Sequence, residues 1–172
     1  NQVFSKLFSK LDFQGKEMQI VGSYRREKSN SGDIDIIFTE GKGDETILKE
    51  FSKLLEQEKL IEVFLTKGKT KIMAIARLPG GTARRLDLMY SPPSEYPFSI
   101  LYFTGSASFN VAMRLRAIER GFSLSEHGLK SLTGTKHPDV TKFKDERDVF
   151  TFLGIEYKRP SLRIDAQSVT MI

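Results

Sequence analysis

Val3, Leu7, Phe8 and Leu11 recur at helical spacing, which predicts an amphipathic helix over residues 2–12, ended by Gly15. A short apolar run from Met18 to Val21 reads as a strand. The β-branched and aromatic run after Gly32, in S-G-D-I-D-I-I-F-T, reads as another. Beyond Gly41-Lys42-Gly43, Asp44 is placed to cap a helix with Ile47, Phe51, Leu54 and Leu55 on one face. Ile61 to Leu65 and Lys71 to Leu78 are rich in strand formers and form a hairpin through the turn Thr66 to Thr70. Pro79-Gly80-Gly81 then turns the chain into the strand Arg84-Arg85-Leu86-Asp87-Leu88-Met89.

Ser91-Pro92-Pro93-Ser94 is the clearest break in composition. Beyond it, after Leu101-Tyr102-Phe103-Thr104-Gly105-Ser106, a helix is expected from about Ala107 to Arg120, with Val111, Leu115 and Ile118 on its buried stripe. Asn110 and Arg114, four apart, share a different face. Phe122 to Leu132 and Lys142-Phe143 suggest short strands, with turns at Gly134 and Pro138. Asp145 is placed to cap a last helix through Leu153, stopped by Gly154. The tail 161–172 shows no pattern, and the chain has no internal repeat. These elements make an α+β chain of two lobes, divided at the Pro-Pro break into residues 1–92 and 93–172.

Composition narrows the partners. The 172 residues hold 27 basic and 22 acidic side chains, and the segment 105–144 holds seven Lys or Arg against three Asp or Glu. Much of the excess therefore sits in that one later segment, as expected of a lobe that grips a polyanion. The absence of cysteine excludes disulfides and removes the usual thiolate zinc sites. No stretch is apolar for long enough to span a membrane, and no signal peptide is visible. The chain starts at Asn1 and not Met, as a domain taken from a longer protein would.

The chemistry lies in Gly22 to Asp35, G-S-Y-R-R-E-K-S-N-S-G-D-I-D. Asp33 and Asp35, two apart on a strand, point to the same face roughly 7 Å apart. Two such carboxylates repel each other unless something positive lies between them, and hard divalent cations take oxygen ligands of this kind. Asp-x-Asp alone also fits a strand with an acidic solvent face. Upstream, Gly22 allows close backbone approach, Ser23 offers a hydroxyl, and a short helix begun by Tyr24-Arg25-Arg26 would aim its first amides at an anion, aided by Arg26. Asp87, alternating with Leu86 and Leu88, faces away from the core with Arg85. It would supply a third carboxylate; the alternative is a solvated Arg-Asp pair on an edge strand. His127 and His137 have no Cys or paired acids near them in sequence and are expected to be structural or superficial.

Several stretches together resemble the family X DNA polymerases of the beta and lambda type: G-S-Y-R-R-E with S-G-D-I-D, then R-R-L-D-L, L-Y-F-T-G-S, F-N-V-A-M-R, S-L-S-E-H-G-L and L-G-I-E-Y-K-R-P, in order from about residue 18 to 160. The resemblance implies a nucleotidyltransferase-type palm, a mixed sheet with flanking helices, followed by a small nucleotide-selecting α/β lobe called thumb or fingers. It implies that Asp33, Asp35 and Asp87 bind two Mg2+ ions, for which Mn2+ can substitute, and that Asp87 also takes or orients the proton of the primer 3′-hydroxyl. Gly22, Ser23, Arg26, Ser31 and Gly32 match positions that hold the triphosphate. Tyr102 and Phe103 match the pair against the incoming sugar, with Gly105 and Ser106 in a tight turn after them. Asn110 matches a contact to the incoming base, Arg114 and Lys71 match DNA contacts, and Arg85 lies near the catalytic carboxylates.

The resemblance leads to the expectation of a monomeric, template-directed polymerase acting on primer-template or gapped DNA with dNTPs. It would be nuclear if cellular, or would belong with the compact two-lobe viral members. The helical upstream region that carries lyase activity in many relatives has no counterpart in this sequence, so weak binding of gapped DNA and no lyase activity are expected of it. Two alternatives stand beside this reading: a template-independent nucleotidyltransferase of terminal or RNA-tailing type, and a DNA-binding module without catalysis. Template-independent relatives tend to carry Gly-Trp where this chain has Tyr102-Phe103, and a longer loop at Thr66 to Thr70.

Overall fold

A computed structural model describes residues 2–134, 138 and 142–172. The chain forms two compact units. The first holds Asn1–Ile20 and Ser31–Pro93, the second Val21–Asn30 and Ser94–Ile172. The chain thus leaves the first unit for ten residues and returns, so the Gly-Ser turn packs with the second unit although it falls within residues 1–92.

The first unit is a five-stranded mixed sheet with two helices on one face. Helix α1 (Gln2–Ser9) leads into β1 (Glu17–Ile20), and β2 (Asp33–Thr39) into α3 (Thr46–Gln57); α2 (Gly22–Arg25) belongs to the second unit. The hairpin β3 (Ile61–Lys67) and β4 (Lys71–Ala76) precedes β5 (Arg84–Tyr90). The spatial order is β1-β2-β5-β4-β3, with β2 and β5 parallel and every other pair antiparallel. A parallel pair needs a long crossover, here supplied by α3 and the hairpin.

Alternation along the strands decides what each face carries. Ile34, Ile36, Phe38, Leu86 and Leu88 point to the helix-covered face, where they pack with Phe4 and Leu7 of α1 and Ile47, Leu48, Phe51 and Leu55 of α3. Phe38 meets Phe51 at 4.7 Å between ring centroids, and burying each such ring contributes about 2 kcal/mol. Asp44 acts at the start of α3 as expected, but one residue outside the cap position: its Oδ1 accepts from the Thr46 amide at 3.0 Å and hydroxyl at 2.7 Å, while Glu45 occupies the cap.

The second unit contains α2 (Gly22–Arg25), α4 (Tyr96–Thr104), α5 (Ala107–Glu119), a hairpin of β6 (Phe122–Ser125) and β7 (Gly128–Ser131), and α6 (Glu146–Leu153). Its core joins Phe98 and Leu101 of α4, Phe109, Met113 and Ala117 of α5, Leu124, Leu129, and Val149, Phe150 and Leu153 of α6. The Asp145 cap of α6 is present, completed as a capping box by Asp148, and Gly154 ends the helix in the left-handed region.

Two expectations are corrected by the fold. The buried stripe of α5 is Phe109, Met113 and Ala117, whereas Val111, Leu115 and Ile118 are 46%, 56% and 52% exposed. Both flanks of this helix are apolar, so spacing did not select between them; the aromatic partners Phe98, Phe122 and Phe150 did. Lys142-Phe143 forms no strand, and the Phe143 ring instead packs against Phe98 and Phe152 at 5.2 and 5.5 Å. His127 lies at the surface as expected, with its Nδ1 2.6 Å from a Glu95 oxygen and its Nε2 3.7 Å from Glu126. Glu95 is 32 residues away in sequence and comes close only through the fold. His137 lies outside the described residues.

The tail is docked in the second unit. It contributes 3-10 turns at Pro160–Leu162 and Ala166–Ser168 and a bridge between Ile155 and Met171.

Candidate active site

In the first unit the parallel register of β2 and β5 pairs Asp33 with Arg85 and Asp35 with Asp87. Neighbours in register on a parallel sheet share a face, so all four side chains stand on the face opposite the helix-covered core. The strand spacing sets Asp35 and Asp87 about 5 Å apart at their Cα atoms. Lys71 shares this face, because the antiparallel β4-β5 register sets Met73 opposite Asp87 and Lys71 opposite Met89.

Arg85 lies between two of the carboxylates. Its Nη2 is 3.1 Å from Asp33 Oδ2 and its Nε 3.2 Å from Asp87 Oδ1. Asp87 is 5% exposed, and its Oδ1 is buried without a well-directed hydrogen bond. Burial, and then the charges of Asp87 and Asp33, push the Asp35 carboxyl above the ordinary carboxylate range, with Arg85 and Lys71 acting against them. Among the described residues no three His, Cys, Asp or Glu side chains converge as a ready-made metal cage. The donor set is nevertheless one for a hard cation: three carboxylates on one face, one carrying a buried oxygen that lacks a proper donor, and one whose charge the surroundings oppose.

Ser31 and Gly32 lead into β2. The Arg84 guanidinium donates to the Ser31 carbonyl oxygen and ties this segment to β5. A Cβ at Gly32 would meet no protein atom within 4 Å.

In the second unit α2 is a single turn that starts at Gly22, whose φ of 67° favours glycine, and it includes Ser23. Arg26 follows it. Its Nη1 donates to the Thr104 carbonyl at 2.6 Å, its Nε is buried without a partner, and burial holds the guanidinium below its ordinary pKa. Gly105 is constrained twice, by a φ of 68° and by the Arg26 Nη1 only 3.0 Å from where a Cβ would stand.

Tyr102 and Phe103 meet edge to face at 5.0 Å, and the Asn110 Nδ2 donates to the Tyr102 carbonyl at 2.6 Å. Tyr102, Asn110 and Arg114 also line one small cavity of about 10 Å³ with Phe98 and Met113, room for about one water. The structure therefore brings together Asp33, Asp35, Arg85, Asp87 and Lys71 in one unit, and Tyr102, Asn110 and Arg114 in the other.

Sequence reasoning missed an ion cluster that holds α2 in place. Arg163 is wholly buried and its two terminal nitrogens each lie 2.9 Å from a Glu146 oxygen. Arg25 approaches the same carboxylate at 3.0 and 2.7 Å and donates to Thr104 Oγ1 at 2.8 Å. Burial alone would raise the Glu146 carboxyl, but hydrogen bonds from Arg163 and Arg25, with their charges, hold it down at about 2. Nothing in the spacing distinguishes Arg25 from Arg26, or marks Arg163 in an unpatterned tail.

A mixed sheet with acidic residues clustered on the face opposite its helices, in one chain with a helical unit that carries a small hairpin, is the palm-and-thumb architecture of a nucleotidyltransferase. The family model described as DNA polymerase beta palm matches residues 1–93, and the one described as DNA polymerase beta thumb matches residues 99–164. The chain is 36% identical to rat (Rattus norvegicus) DNA polymerase lambda over 158 residues, which is 83% of this chain and 28% of the relative. To Arabidopsis thaliana DNA polymerase lambda it is 30% identical over 162 residues, 83% of this chain and 31% of that one. The crystal structure of Leishmania infantum polymerase beta in a ternary P/T complex superposes with a TM-score of 0.81 at 28% identity, covering 95% of this chain and 73% of that one. The chain belongs to the family X DNA polymerases, those of the DNA polymerase beta type. It spans less than a third of the length of the rat and Arabidopsis relatives.

Proposed function

We propose that this chain is a template-directed DNA polymerase that adds dNTPs to a primer 3′-hydroxyl, filling gaps in DNA. The observation that carries the proposal is the register of Asp35 with Asp87 across parallel strands, with Asp33 and Arg85 in register beside them on the same face. Asp33, Asp35 and Asp87 would hold two magnesium ions, which when bound supply charge neutralisation to the attacking and leaving oxygens of an in-line phosphoryl transfer.

The chain's own residues do the rest. Asp87, buried and steered by Arg85, takes or orients the primer hydroxyl proton. Gly22, Ser23, Arg26, Ser31 and Gly32 hold the triphosphate. Gly32 supports this role, since neither a positive φ nor a crowding neighbour within the protein requires a glycine there. Tyr102 and Phe103 bear on the incoming sugar, Asn110 on its base, and Arg114 and Lys71 on the DNA. The β3-β4 connection is only Gly68 to Thr70, which leaves little loop to replace a template.

Primer extension on gapped and ungapped duplexes with magnesium tests the proposal. Incorporation directed by the template base supports it. Addition of all four nucleotides regardless of template would transfer the chain to the template-independent class, and no incorporation at all would leave a binding module.

A further inference from the structure

The first unit has a second concave surface. Beside its buried face α3 presents a stripe of Lys49, Lys53 and Glu56, continued by Glu45 at its cap, and this stripe and the β3-β4 turn line a groove of about 570 Å³ floored by Ser52 and Ile72. Its cations stand on both sides, Lys49 and Lys53 on the helix, Lys67 at the end of β3 and Lys69 on the turn. Lys53 is engaged by Glu50 at 3.3 Å, and Lys67 by Glu56 at 4.0 Å. Among the described residues Lys49 and Lys69 have no carboxylate within ion-pairing distance. The helix that forms one wall covers the sheet face opposite the aspartates, so the groove is not part of the candidate active site.

We propose that this groove docks an acidic peptide segment of a partner protein, laid in extended form between the two pairs of lysines. Charge complementarity selects an anion, and the chemistry of the walls selects a peptide over a nucleic acid. No aromatic ring lines the groove, so unpaired bases would find no stacking platform. Glu45 and Glu56 stand in the same walls and repel an unbroken run of phosphates, whereas a peptide can alternate carboxylates with donors that meet them.

The test is fluorescence anisotropy of the whole chain titrated with a labelled octapeptide of alternating glutamate and serine, at low and moderate salt. Saturable one-to-one binding is expected, weakened by salt. Lys49→Glu with Lys69→Glu should lower the affinity by about ten-fold or more, a loss of roughly 1.4 kcal/mol. Lys49→Gln with Lys69→Gln should fall between this variant and the parent, and circular dichroism should show both variants folded. An excess of short duplex DNA should not displace the peptide. The proposal is overturned if binding does not saturate, if the double variants bind the peptide as the parent does, or if duplex DNA displaces the peptide and loses affinity through the same substitutions. That last outcome would make nucleic acid the occupant. Primer extension is a separate readout, so failure here would leave the polymerase reading untouched.

Discussion

Asp35 and Asp87 are direct register partners on neighbouring parallel strands, so two acidic side chains 52 positions apart in sequence are held side by side. Such a site is built against its own stability. Asp35→Asn should therefore abolish primer extension, by at least about 10²–10³-fold, while raising the melting temperature measured in EDTA by about 1–3 °C. The sign follows from the raised Asp35 pKa. Above it the folded parent holds an opposed charge that the amide lacks, and below it both are neutral, so the gain should shrink as the pH falls through that value. A variant that loses activity and stability together would show that Asp35 supports the fold.

Glu146 should behave in the opposite way. Its folded pKa of about 2 lies below the unfolded value of 4.5, so its contribution is complete above pH 4.5 and is lost as the pH falls from there towards 2. Glu146→Gln would leave the buried Arg163 and the half-buried Arg25 without their shared counter-charge, at a cost of about 3–5 kcal/mol. Urea unfolding at neutral pH reads this as a large fall in the midpoint. At pH 2 the gap between parent and variant should be much smaller, and an equal gap at both pH values would refute the assignment.

Helix α5 shows where sequence reasoning stops. The catalytic strands β2 and β5 and their facing were legible because alternation has only two answers: Ile34, Ile36, Leu86 and Leu88 had to be buried together, and that placed Asp33, Asp35 and Asp87 on the other face. A helix with apolar residues on both flanks offers no such choice, and α4 carried too uniform an apolar run to show any face. The Arg25-Glu146-Arg163 cluster was illegible for a different reason, since its members are polar, far apart in sequence and meet only in three dimensions. The corrected facing of α5 has a direct test. Met113→Ala should cost about 2–4 kcal/mol, while Leu115→Ala should cost under about 0.5 kcal/mol, both read by chemical denaturation. The reverse order would restore the stripe that the sequence suggested.

Two glycines separate what the fold requires from what a ligand requires. At Gly105 a side chain would be strained by the φ of 68° and would press on Arg26 Nη1 at 3.0 Å, so Gly105→Ala should cost about 1–2 kcal/mol and displace Arg26 as well. At Gly32 an added methyl group meets open space and an ordinary backbone conformation, so Gly32→Ala should leave the melting temperature within about 1 °C. If the space beside Gly32 is where the triphosphate approaches the backbone, the same substitution should still raise KM for the dNTP by about ten-fold, since close approach is what the missing side chain permits. Steady-state single-nucleotide incorporation, read beside a melting curve, distinguishes the two cases. A Gly32→Ala enzyme unchanged in both stability and KM would remove this glycine from the phosphate site, and one destabilised as much as Gly105→Ala would show that the fold required it.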